Sequence, residues 1–147
     1  MNPNKSFNLL LTLLAVALAS GCASDNGGRV LESDGVRTLV SAPKDGGRDA
    51  QIAGQLKLTE GRCLAVESDD GRVHMLVWPS GVTLLTDGQV GVNVPGLGPI
   101  TVGESFAGSG GYSAPPLGEK EPDIPDECSI GDAEVAIIDQ AESIRKS

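Results

Sequence analysis

One histidine, three cysteines and twenty acidic residues are the groups in this 147-residue chain with the most chemistry to offer. Nucleophilic catalysis needs a serine or cysteine within reach of a base, and the base would have to be His74. His74 sits inside the apolar run Val73 to Trp78, which reads as the most buried strand of the chain. It is therefore read as a satisfied or edge-facing histidine rather than a general base. The stretch Gly103-Glu104-Ser105-Phe106-Ala107 lacks the last glycine of a nucleophile elbow. Gly96-x-Gly98 precedes a strand, lacks the third glycine of a dinucleotide fingerprint, and reads as a turn. No phosphate loop with Lys-Ser/Thr is present. No catalytic residue and no cofactor is assigned.

The acidic residues divide into two groups. Asp69-Asp70-Gly71 does not have the spacing of a calcium loop and reads instead as a hairpin turn, where Asp and Gly accept positive φ. Asp123, Asp126 and Glu127 lie in a proline-rich stretch, but their count falls short of a cation cage and no metal is assigned. Between Glu119 and Glu142 stand nine acids and one lysine, a run that reads as a solvated surface. Paired carboxylates for glycoside cleavage would want aromatic walls. Trp78, Phe106 and Tyr112 are too few for that and are needed in the core.

The first residues, MNPNKSFNLLLTLLAVALASGC, join a positive Lys5 to an apolar run from Leu9 to Leu18. That run is too short for a membrane span but suits a secretory signal. Ala19-Ser20-Gly21-Cys22 resembles the lipobox of bacterial lipoproteins, with Ala19 where that family more often has Leu. The resemblance implies a signal peptide over residues 1–21, cleavage before Cys22, and acyl chains of the palmitate type on Cys22. Ala23 in place of Asp after the cysteine favours the outer membrane in a Gram-negative cell. An ordinary signal peptide cut near Ala23 is the alternative. With Cys22 acylated, Cys63 and Cys128 remain as an even pair in an oxidising compartment, and a disulfide between them is expected.

The elements that would carry these residues are strands. Residues 22–48 are rich in Gly, Asp, Ser and Arg and read as a flexible tether. Val30-Leu31 and Thr38–Val40 offer material for one short strand there at most. A β-barrel domain is expected over residues 49–139. Period-2 alternation marks strands at Ile52–Leu58, Cys63–Glu67 and Val90–Val94, with Val82–Leu85, Ile100–Val102 and Ser105–Ala107 as shorter pieces. Val73–Trp78, apolar on both faces apart from His74, should be central and covered. Gly108–Glu127 reads as a loop and Glu134–Ile138 as a closing strand, with a helix over 132–144 as the competitor. Residues 140–147 read as a polar tail.

The expected fold is mainly β, a small antiparallel OB-like barrel of five or six strands, with a β-sandwich as alternative. The elements Gly54-x-Leu56, Arg62-Cys63-Leu64, Leu76–Pro79, Val102–Glu104 and Gly110-Gly111 are similar to those of small exported bacterial domains over about Ile52 to Asp139. That likeness implies no activity.

The formal charge of −9, with few aromatic residues, argues against nucleic acid and anionic lipid as partners through bulk charge. The expected function is a non-catalytic binding or interaction module, anchored by lipid at Cys22 to a bacterial cell envelope and facing an extracytoplasmic compartment. An envelope protein is the expected partner. Tyr112, Pro115, Pro116 and Asp123 mark the candidate interaction loop. A small hydrolase using carboxylates that sequence cannot pair, and a structural spacer, are the rivals.

Overall fold

Five strands close the barrel, and their order follows from which faces the sequence makes apolar. In the computed structural model, which describes residues 27–147, strands β1 (Arg29–Ser33) and β2 (Val36–Val40) form a hairpin. They are followed by β3 (Ala50–Leu58), β4 (Leu64–Glu67) and β5 (Val73–Trp78). A three-stranded meander comes next: β6 (Thr83–Leu84), β7 (Gly91–Val94) and β8 (Gly98–Thr101). The chain ends with β9 (Ser105–Ser113), β10 (Val135–Ile138) and β11 (Arg145–Lys146).

The cycle β3–β4–β5–β10–β9 returns to β3 and shuts the barrel. This is an OB-like barrel with extra strands. It is not wholly antiparallel, because β5 runs parallel to β10 on one edge and to β2 on the other. That second edge is shared: Val73–Met75 pairs with β4, while Val77 and Trp78 pair with Leu39 and Val40 of β2.

Alternation sorts the side chains into two layers. Leu64, Val66, Leu76, Trp78, Ala136 and Ile138 point into the barrel, with Phe106 and with Val92, Val94 and Ile100 of the meander. Trp78 and Phe106 pack with ring centroids 5.2 Å apart. The intervening residues Ala65, Met75, Val77, Val135 and Ile137 form an outer layer with Leu39, Cys63 and Cys128. The double apolar character of Val73–Trp78 is thus used on both sides, as the sequence predicts.

Four expectations require correction. The tether does not reach residue 48: β1 and β2 are folded, and Val36, Leu39, Val40 and Ala42 are buried. The hairpin turns on Asp34-Gly35, both at positive φ, the same dipeptide chemistry that marks the later turns. The domain therefore begins before residue 49. The loop expected from Gly108 starts late, because β9 continues to Ser113. Its glycines allow close backbone approach: a Cβ at Gly110 would overlap the carbonyl of Ile137.

Residues 140–147 are not a free tail. Ile144 is buried in the barrel core, and β11 pairs with β9. Ser143 Oγ accepts from the Ser109 amide at 2.9 Å. Ile144→Val should therefore lower unfolding free energy by about 1 kcal/mol, the usual cost of one buried methyl. The emission of Trp78, the single tryptophan, during urea denaturation measures this. A free tail would show no change.

The strand preferred at Glu134–Ile138 over a helix is present as β10. The signal peptide and Cys22 lie outside the described residues.

Candidate functional site

Cys63 and Cys128 are disulfide-bonded, with Cα atoms 5.5 Å apart. The bond ties the β3–β4 turn, residues 59–63, to the long β9–β10 connection, residues 114–134. This connection is not a free loop. Leu117, Ile124 and Ile130 pack onto the outer apolar layer of β4, β5 and β10, and Cys128 is buried within that layer. In an OB-like barrel, the faces of the second and third barrel strands and the loops flanking them are the usual ligand surface. Here much of that face is covered by the chain itself.

Of the candidate loop residues, Tyr112 lies in β9, about one-third exposed, and Pro115, Pro116 and Asp123 are exposed on the connection. None of them lines the cleft at the far end of the connection. This cleft of about 530 Å³ runs between the β3–β4 turn and residues 127–130, inside the size range of ligand sites. Leu58, Val73 and Ile130 provide its apolar lining, and Glu60, Glu67, Glu127 and Lys57 its charges. Lys57 Nζ stands 3.6 Å from Glu67 Oε1, and Arg37 reaches Glu127 at 3.7 Å from outside.

The two walls touch through backbone. A Cβ on Gly61 would overlap the carbonyl oxygen of Glu127, so no larger residue fits without separating the walls. Gly61→Ala is expected to cost about 2 kcal/mol by overpacking, measured by urea denaturation. A variant as stable as the parent would show that the walls move apart freely. One signal in the sequence pointed here: once Cys63 is paired with Cys128, their neighbours Glu60, Gly61 and Glu127 must meet.

A second polar cluster was missed because one side of it falls in the expected tether. Lys44 Nζ lies 2.5 Å from Asp139 Oδ1 and 2.8 Å from Glu121 Oε1. Arg48 donates to Asp139 from its amide at 2.8 Å, and from Nε and Nη2 at 2.9 Å each. Burial works to raise the Asp139 pKa, but these hydrogen bonds and the Lys44 charge outweigh it and hold the carboxyl far below the usual range. The hydrogen bond to Asp139 also raises Arg48. The charges are matched, so the cluster reads as a clamp that fixes the 41–49 connection onto the end of β10.

His74 is nearly buried, and its Nδ1 donates to the Glu134 carbonyl at 2.8 Å. The ring also meets Tyr112 edge-on at 5.0 Å. This is the satisfied histidine expected from its strand. Asp70 caps its own turn, accepting from Ser68 Oγ at 2.6 Å and the Arg72 amide at 3.1 Å. Those two hydrogen bonds, Ser68 foremost, lower its pKa. Gly96 and Gly98 belong to the tight β7–β8 hairpin. Among the described residues, no three His, Cys, Asp or Glu side chains gather as a metal site, and no helix is long and apolar enough to cross a membrane. No protein-family model, curated protein or solved structure matches the chain.

Proposed function

We propose that the protein is a lipid-anchored component of a bacterial cell envelope and that its barrel is a non-catalytic binding module for another envelope protein. The anchor would be Cys22, with the barrel facing an extracytoplasmic compartment, at the outer membrane in a Gram-negative cell. One observation carries the binding reading: a cleft whose two walls are joined covalently by Cys63–Cys128 and meet at Gly61. A site held this way spends little entropy on ordering when a ligand arrives. The disulfide also suits an oxidising compartment.

The anchor would be short. Four residues lie between Cys22 and Gly27, and the five residue-to-residue steps reach at most about 18 Å. The barrel would ride close to the bilayer rather than at the end of a long tether. Intact mass spectrometry of protein from its native membrane, with and without reductant, tests the reading. The expected mass is that of residues 22–147 plus acyl chains, about two daltons lower before reduction, because closing one disulfide removes two hydrogens. An unacylated soluble mass would overturn the lipid-anchored reading.

A further inference from the structure

We propose that the cleft between Glu60-Gly61 and Glu127–Ile130 takes an extended protein segment in which a lysine or arginine stands beside an aliphatic side chain. This deepens the binding-module reading and rests on it.

Two properties of the cleft select that chemistry. The first is charge. Glu60, Glu67 and Glu127 face a single lining cation, Lys57, whose ammonium is already 3.6 Å from Glu67. Glu60 has no ion-pair partner among the described residues. Arg37 approaches Glu127 at 3.7 Å from outside the cleft and is shared with Glu32 at 3.0 Å, so it offsets only part of the cleft's negative charge. The cleft is therefore net negative on a chain of charge −9. It repels carboxylates, phosphates and nucleic acid, and draws cations in from a distance.

The second property is the apolar lining. Leu58, Val73 and Ile130 are each only partly buried, at the margins of the two hydrophobic layers. A bare metal ion or a small diamine would answer the carboxylates and leave these three side chains wet. Lysine and arginine join a methylene stem to a charged head, which matches a carboxylate rim above apolar residues. A neighbouring aliphatic side chain would cover the remaining apolar surface. The preformed walls favour a ligand that adapts to the cleft, such as an extended segment.

The test is a titration of the chain as purified for mass spectrometry, carried in zwitterionic nanodiscs where it is acylated, with empty discs as blank. Three fluorescent peptides of equal length are used, alternating Lys/Leu, Lys/Ser and Glu/Leu. The Lys/Leu peptide should bind at least tenfold more tightly than the other two, and added salt should weaken it. Combining Glu60→Lys with Glu127→Lys should reduce that affinity tenfold or more. The charge-matched pair Glu119→Lys with Glu134→Lys, exposed on the same connection but outside the cleft, should change it less than threefold. Trp78 emission confirms that both variants are folded.

Equal binding of the Lys/Ser peptide would show attraction by bulk charge and overturn the proposal. An equal effect of the control pair would do the same, as would no saturable binding of the Lys/Leu peptide. The mass measurement succeeds or fails independently of these titrations, so a failed anchor and a failed cleft are told apart.

Discussion

Replacing Cys63 and Cys128 together by alanine is expected to lower the unfolding free energy by about 4 kcal/mol. The two residues lie 65 positions apart. Releasing a loop of that length restores about that much chain entropy to the unfolded state. For a domain of ordinary stability this is a large fraction of the total. The outer layer decides whether the native state survives. Leu39, Ala65, Met75, Val77, Val135 and Ile137 still hold Leu117, Ile124 and Ile130 by apolar contact once the bond is gone. The variant should therefore fold, with a lower urea midpoint and a steeper denaturant dependence, since its unfolded chain is less compact. Both cysteines are buried in the native protein. Reduction of the parent by a small thiol should accordingly proceed through opened molecules, and at fixed thiol it should speed up as urea is added. A loss below about 1 kcal/mol would mean that packing alone fixes the 114–134 connection and that the bond is redundant.

The barrel was legible where local chemistry agreed with the global fold. Val73–Trp78 announced a strand covered on both faces, Asp70-Gly71 a hairpin, and Pro79 an end. The hairpin β1–β2 was hidden by its neighbours. Asp34-Gly35 is a turn signal of the same kind, but glycines and charged residues on either side made the segment resemble a linker. What buries β2 is a parallel pairing with Val77 and Trp78, some 38 residues away. Parallel pairs need a crossover, and no local spacing reveals them. Ile144 is one apolar residue in a polar stretch, too little for a periodicity argument. The glycines of β9 misled in another way: they mark close backbone approach to β10, not a loop. The cleft is a product of non-local contact. Its walls come from positions near 60 and near 128, and the cysteine pairing was the one sequence feature that joined them.

Asp139→Asn should produce the second large effect, a loss of about 2–3 kcal/mol near neutral pH. The Asp139 side chain is almost fully buried and accepts from both Arg48 and Lys44. An asparagine keeps the shape but loses the charge, and turns an NH₂ group toward a cation. Removing one partner of a buried pair normally costs more than this. The figure is lower here because Lys44 keeps Glu121 and Arg48 is partly exposed.

The pH dependence separates this account from a simple packing defect. The folded state holds the Asp139 carboxyl well below its ordinary value. Its contribution is therefore fully present above the unfolded value, near 4, and is lost as the pH falls toward the folded one. In that interval the unfolded chain takes up a proton that the native protein refuses, at up to about 1.4 kcal/mol per pH unit. The variant has no such group. Its urea midpoint should trail the parent's by a constant margin from pH 7 to about 5, and the gap should then narrow steadily toward pH 2. A gap that stays constant down to pH 2 would show that the clamp acts through shape and not through the ionised carboxylate.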